Sequence, residues 1–387
     1  MKKIDNKKIN RLICYIAEVN FHKSINRAVL YCITIFIFIN LMTSVGGCFT
    51  MLEEKDTISN LSFSHDGKSV VFDRCQNNGC QIQVYNLETG ELAAYQSPQN
   101  ERWTMGKYSY DGKRITFSVI PKKPLGGLDL GEMQIAVMDA DGKNFKKVTT
   151  GSGAKLYPTF SHNGKKILYA RAKRIREQGQ TPAAQYDAWE VNLETGVQEQ
   201  LTFCEYYYMG NLTYFPDDER FIYYGEMPSS YKGEEASFVK ESPFKKKMDE
   251  LIPQGKSIYG LVVMKGKELF PNPYHFPPKI SPHKPLLSKD GSVLIYEKSE
   301  SGDFYLYSEN REHLKVSRCG SVHSVAISPD GQYFGSSYDD SVFIKRISDG
   351  TYLRAMFVRR SEQWDESVRK MPYIRLLPKS PSRIINN

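Results

Sequence analysis

The stretch LSFSHDGKSVVF, residues 61–72, decides the fold because the chain returns to it five more times. The later copies are KYSYDGKRITF (107–117), PTFSHNGKKILY (158–169), LTYFPDDERFIYY (212–224), PLLSKDGSVLIY (285–296) and VAISPDGQYFGS (325–336). Each is an apolar run, a Ser-x-Asp-Gly step or a near variant, and a second apolar run. Glycine reaches positive φ without a Cβ penalty, so an Asp-Gly step lets two strands pair across a tight turn. The Gly slot is held by Gly67, Gly112, Gly164, Asp218, Gly291 and Gly331.

Every copy leads into two more strand-like runs, such as QIAVMDADG and FKKVTTG after the second or SVFIKRISDG and TYLRAMF after the last. Four antiparallel strands in a repeating unit form a propeller blade, and six copies predict six blades over residues 58–358. The fold class is all-β, a six-bladed β-propeller behind an N-terminal hydrophobic signal or anchor helix. A β-sandwich of repeated hairpins is the competing architecture. In each blade the strands are lettered a to d from the axis outward. The 25 Tyr and 20 Phe, with recurring β-branched residues, favour strand over helix.

The net charge of +8 is concentrated at the front of the chain. Residues 1–47 hold seven Lys or Arg and two acids, which leaves +3 for residues 48–387 and gives no reason to invoke nucleic acid. Residues 28–42, AVLYCITIFIFINLM, are apolar and uncharged, and Thr43-Ser44-Val45-Gly46-Gly47-Cys48 follows. Basic, apolar, then small is the order of an export signal. The Val-Gly-Gly-Cys step resembles a bacterial lipobox, in which the cysteine, here Cys48, is lipidated and becomes the mature N-terminus. An uncleaved anchor over residues 28–47 and plain secretion are the alternatives. Residues 1–47 therefore read as signal peptide or anchor, 48–57 as linker, 58–358 as propeller and 359–387 as tail. Cys75 and Cys80 flank Gln-Asn-Asn-Gly, a hairpin turn across which they form a candidate disulfide in an oxidising compartment.

The repeats resemble the WD-like repeats of the TolB propeller family, most closely in VMDADGKNFKKVTTGSGAKLYPTFSHNGKKILYA, residues 137–170. The resemblance covers about residues 58–358. It implies a six-bladed propeller in the bacterial envelope that binds partner proteins. The chain departs from that family in lacking the mixed domain before the propeller. It also has Lys345-Arg346 where true WD repeats carry Trp-Asp.

Spacings between Gly slots are 45, 52, 54, 73 and 40 residues. The excess falls between strands b and c, at about 120–131, 172–185 and 226–256. In a meander, b–c and d–a connections emerge on one face, so the long loops are expected to cluster there. Loops on a rigid scaffold are where binding surfaces form. Lys122, Lys123, Arg174, Arg176, Lys245 and Lys246 are the candidate partner-binding residues on those loops, with Tyr157 at the channel mouth. They point to an envelope protein or an anionic polymer as partner, unless they are solvated loop charge.

No Gly-x-Ser-x-Gly elbow, His-Glu-x-x-His or phosphate-binding loop occurs. Asp139-Ala140-Asp141-Gly142 lacks the downstream acid of a calcium loop and reads as a c–d turn. His283 and His323 each stand eight residues before their Gly slot, at equivalent places near the mouth of blades 5 and 6. Hydrogen-bonded histidines are the plain reading and a metal pair the sharper one; no cofactor is otherwise expected. The leading expectation is a non-catalytic, membrane-held envelope binding protein outside the cytoplasm. The alternative is an exported propeller enzyme, of polysaccharide lyase or glycosidase type, with its site in the central channel. Within the tail, Trp364 and residues 371–377 are candidates for packing on the rim, and the final PKSPSRIINN reads as disordered.

Intact mass of the membrane-extracted protein tests the leader. A mature chain that starts at an acylated Cys48, with the added mass lost in Cys48→Ala, is expected. An uncleaved, unmodified chain would remove the lipoprotein reading.

Overall fold

The computed structural model describes residues 57–76, 79–173, 185–226, 260–274, 276, 282–298, 302–308, 311–317, 324–338, 341–357, 374–377 and 380–386. Cys48, the 28–47 segment, Arg174, Arg176, Lys245, Lys246, His323 and Trp364 lie outside the described residues. Among the described residues, no helix is long and apolar enough to cross a membrane.

These residues form six sheets, one per copy of the repeat. Blade 1 is β1 (Thr57–Phe63), β2 (Ser69–Gln76), β3 (Gly79–Asn86) and β4 (Leu92–Tyr95). Blade 2 is β5 (Glu101–Tyr108), β6 (Arg114–Pro121), β7 (Gln134–Asp139) and β8 (Lys146–Lys147). Blade 3 is β9 (Ala154–Phe160), β10 (Lys166–Ala172), β11 (Tyr186–Asn192) and β12 (Gln198–Gln200). Blade 4 is β13 (Tyr208–Tyr214), β14 (Arg220–Glu226), β15 (Gly260–Lys265) and β16 (Glu268–Phe270). Blade 5 is β17 (Pro282–Leu287), β18 (Val293–Lys298), β19 (Asp303–Ser308) and β20 (Arg311–Ser317). Blade 6 is β21 (Ser324–Ile327), β22 (Tyr333–Tyr338), β23 (Ser341–Arg346) and β24 (Tyr352–Phe357). Within each blade, successive strands pair antiparallel in sequence order. The protein is a six-bladed all-β propeller.

The repeated phrase works through one hydrogen-bonded unit. In the first a–b turn, Ser64 Oγ donates to Asp66 Oδ1 at 2.6 Å and accepts from Ser69 N at 2.9 Å. Asp66 also accepts from Lys68 N at 3.0 Å, and Gly67 N closes the turn on Ser64 O at 3.0 Å. The same contacts recur at Ser109–Asp111, Ser288–Asp290 and Ser328–Asp330. Blade 4 has Asp218 in the Gly slot at φ 56°. Its carboxylate accepts from the backbone N–H groups of His162 and Asn163, so the departure from glycine ties the turns of blades 3 and 4 together.

A blade is apolar on both faces, and the core is accordingly divided among the blade interfaces. Trp103, Ile115 and Phe117 meet Val71, Ile82 and Tyr95 between blades 2 and 1. Leu168 and Ala188 meet Met209, Leu212 and Tyr223 between blades 3 and 4. The ring closes in the same manner, with Ile58, Leu61 and Phe63 of blade 1 against Ala326, Val342, Ile344 and Met356 of blade 6. A Cβ on Gly335 would come within 2.9 Å of Leu61, so this seam is packed to backbone contact.

The tail corrects an expectation. Residues 380–386 of the final PKSPSRIINN are not left disordered. Strand β25 (Ile374–Leu376) adds parallel to β24 of blade 6, and β26 (Arg383–Ile385) adds parallel to β4 of blade 1. Gln96 N donates to Ile385 O at 2.9 Å, and Ile385 packs into the blade 1–2 core. The tail is thus a strap across the seam, with Leu377 buried in the blade 6–1 cluster.

Leu377→Ala is expected to lower the unfolding free energy by about 2–4 kcal/mol, the range for a buried leucine lost from a packed core. Deletion of residues 378–387 should speed amide exchange in β4 while leaving β13 and β14 unchanged. Urea denaturation and hydrogen exchange read these effects. Equal protection of β4 with and without the tail would contradict the strap.

Candidate functional site

The six a strands enclose an axial channel with a cavity of about 250 Å³, close to the lower end of small-ligand sites at roughly 300–1,000 Å³. One backbone irregularity shapes its mouth. Seven residues before the Gly slot stand Asn60, Met105, Tyr157, Asn211, Lys284 and Ser324. The first five have φ of 53°, 62°, 56°, 54° and 46°, and each marks a slip in the a–b register. All six line the channel. A bulge of this kind re-aims a side chain, and left-handed Met, Tyr and Lys carry a conformational cost that surrounding contacts must hold.

Asp73, 1% exposed, supplies much of that hold in blades 1 and 2. Its carboxylate accepts from Asn60 Nδ2 at 2.6 Å, from Thr104 Oγ1, and from the left-handed Met105 N at 3.0 Å. Burial nevertheless outweighs these donors and pushes its pKa up to about 6. The corresponding residue in blade 5, Glu297, pairs with Lys284 at 3.1 Å, and that in blade 6, Ser337, bonds Ser324 Oγ at 2.7 Å.

The two ends of the channel differ. At the turn end, Lys289 Nζ of blade 5 reaches Tyr110 O of blade 2 at 2.9 Å, and Lys289 O meets His162 Nε2 of blade 3 at 2.9 Å. Tyr110 and His162 stack at 3.7 Å. His65 covers Gly112 so closely that a Cβ there would lie 2.0 Å from Nδ1. At the loop end no hydrogen bond among the described residues crosses the axis. That end is where the b–c and d–a connections meet, since Lys122 N bonds Asn100 O at 2.8 Å and Gly153 N bonds Gly131 O at 2.6 Å. The c–d turns lie with the a–b turns, as Ala140 N to Lys113 O and Leu193 N to Lys165 O, both 2.8 Å, demonstrate.

Lys122 and Lys123 stand exposed on a small hairpin of the blade 2 b–c loop, with Leu125 fully exposed at its tip. Tyr157 lies in the mouth ring, where its hydroxyl accepts from Tyr208 at 3.3 Å and burial raises its pKa. The Sγ atoms of Cys75 and Cys80 are 2.00 Å apart, in a disulfide between directly paired residues of β2 and β3. Asp139–Gly142 forms the c–d turn, closed by Gly142 N on Asp139 O.

The ring of His283 lies 4.1 Å from that of Tyr224, between blades 5 and 4, and His323, its expected counterpart, lies outside the described residues. The bulge at Lys284 exchanges inward and sideways positions, so a count of eight residues from the Gly slot lands one residue off. Among the described residues, no three His, Cys, Asp or Glu gather as a metal site.

Two lysines escaped the sequence reading. Lys155 is fully buried, and its Nζ holds the carbonyls of Met133 and Gly151 at 2.8 and 2.5 Å. Lys107, five residues before its Gly slot, lines the channel, and burial alone lowers its pKa to about 8. The readable signal was spacing: positions five and seven before the Gly slot face the axis in every blade.

Fold and site together define a six-bladed β-propeller with an axial channel. No family model matches the chain, and neither does any curated protein. Among solved structures, it resembles TolB from Acinetobacter baumannii at 17% identity and a TM-score of 0.44, over 65% of this chain and 52% of that one. It resembles an oligogalacturonate lyase in complex with manganese at 14% and 0.48, over 81% and 79%. A putative TolB from Agrobacterium tumefaciens gives 14% and 0.42, over 78% and 82%. The chain spans about half the length of the Acinetobacter protein. Likeness at this level transfers no activity, and the fold rests on the strand order itself.

Asp73 yields a pH test. Its folded pKa, about 6, exceeds the ordinary 3.8, so the folded state holds the proton more tightly. Its contribution to stability is therefore greatest below about pH 4 and falls as pH rises through 6, by up to about 3 kcal/mol at 1.36 kcal/mol per unit. Asp187, also raised to about 6, adds in the same direction. Urea melts at pH 4 and 7 should show this drop in wild type and a smaller one in Asp73→Asn. Identical drops would remove Asp73 as the source.

Proposed function

We propose that this chain is a non-catalytic binding protein of the bacterial cell envelope. It is exported and held at the membrane by a lipid on Cys48 or by an uncleaved 28–47 helix, and it meets a protein or anionic-polymer partner with its loop face. The asymmetry of the channel carries this reading. Hydrogen bonds span the turn end, whereas the loop end presents the mouth ring beside the exposed Lys122–Leu125 hairpin. The basic-apolar-small order of residues 1–48 and the Cys75–Cys80 disulfide support an oxidising, extracytoplasmic setting.

The enzyme alternative asks for catalytic groups that converge in the channel. Glycoside hydrolysis uses a carboxylate pair, and the described lining consists of hydroxyl, amide, aromatic, aliphatic, lysine and histidine side chains without Asp or Glu. That composition tells against a two-carboxylate glycosidase.

A photo-crosslinking side chain at Leu125, on the loop face, is expected to capture one partner species in the producing cell. The same group at Lys143, on the turn face, should capture none. Reversing charge in Lys122→Glu/Lys123→Glu should abolish the Leu125 adduct. Equal capture from both faces would sink the loop-face reading.

A further inference from the structure

Lys107 is out of keeping with its neighbours. The other channel-facing lysines are engaged, Lys284 by Glu297 at 3.1 Å and Lys289 by Tyr110 O at 2.9 Å. The Lys107 ammonium makes no hydrogen bond or ion pair with a described residue, and no neighbouring charge contributes to its lowered pKa. A desolvated cation without a counter-charge is costly, and a bound anion would remove that cost.

The groups around it are sorted by side. Thr159 of blade 3 and Asn211 of blade 4 line the cavity, and neither side chain is bonded to a described residue. Ser62 of blade 1 makes only a long contact, 3.4 Å, with Phe63 O. Five residues before their Gly slots, the register of Lys107, Ser62 and Thr159, blades 5 and 6 carry Leu286 and Ala326. At that register the channel therefore has donors on one side and an apolar wall on the other, two residues in from the polar Lys284 and Ser324 of the mouth ring.

We propose that the channel binds a small organic carboxylate, with the anionic head on Lys107, Thr159 and Asn211 and the aliphatic body against Leu286 and Ala326. This deepens the binding reading above and rests on it in that the channel retains its ligand unchanged. The cavity of about 250 Å³ sets the ligand's size. An inorganic oxyanion satisfies the donors but leaves the apolar wall without a partner.

The test is titration of the purified full-length protein with acetate, butyrate and hexanoate, with inorganic phosphate as the charge-only probe, followed by calorimetry and amide chemical shifts. Affinity should tighten with chain length, up to about fourfold per added CH₂, and phosphate should bind more weakly than hexanoate. Lys107→Met should weaken hexanoate at least about tenfold without loss of folded stability, because it removes an uncompensated charge. Thr159→Val should weaken it several-fold, and Lys107→Arg should retain binding. Hexanoate binding unchanged in Lys107→Met, phosphate binding as tightly as hexanoate, or no binding by wild type would each overturn the proposal. The loop-face crosslinks read the partner role independently of these titrations: their loss with carboxylate binding intact sinks the partner role alone, and the reverse sinks only this site.

Discussion

Burial of apolar surface between neighbouring blades is the interaction on which the rest of this structure depends. A single four-stranded sheet with Val, Ile, Phe and Tyr on both faces has no core of its own. It becomes stable only when a neighbour covers each face. Six blades arranged in a circle satisfy this without an exposed end, and the blade 6–1 seam is packed as fully as the others, to the point that Gly335 admits no Cβ. The Ser–Asp turn unit serves the same end. It fixes the angle between strands a and b, so each blade arrives at the interface with the correct twist.

The channel is a by-product of that packing, turned to use by the bulges. A regular a strand would alternate its side chains between the two neighbouring blades. A left-handed residue at one register position breaks the alternation and turns Asn60, Met105, Tyr157, Asn211 and Lys284 to the mouth. Asp73 holds both the Asn60 side chain and the Met105 amide, so the geometry of two adjacent blades depends on one buried carboxylate. The lining then differs from blade to blade, because only the backbone conformation recurs and the side chains are free to vary.

That distinction explains what was legible beforehand. The blades were readable from residues 61–72 and their copies because the turn demands particular side chains, a Ser, an Asp and a Gly, at fixed spacing. The mouth ring demands only a backbone conformation, which Asn, Met, Tyr and Lys all adopt here, so no residue type announces it. A bulge also shifts the inward position by one, so that Lys284 and not the residue before it is counted in the ring. Cys75 and Cys80 stood out because a hairpin turn separates them. The strap was hidden because Arg383–Ile385 is short, lies between polar residues and offers only Ile385 to a core.

The strap also bears on the order of assembly. Ser382 bonds Leu92 O across 290 residues of sequence. Contacts of such separation form late, after the intervening chain has compacted, because the entropy of bringing distant segments together must be met first. The seam is consequently where the ring zips shut last, and opening there exposes edge strands β4 and β24 before any other blade is disturbed. In kinetic terms the propeller behaves as a clasped bracelet, its lifetime in the closed state set by the clasp.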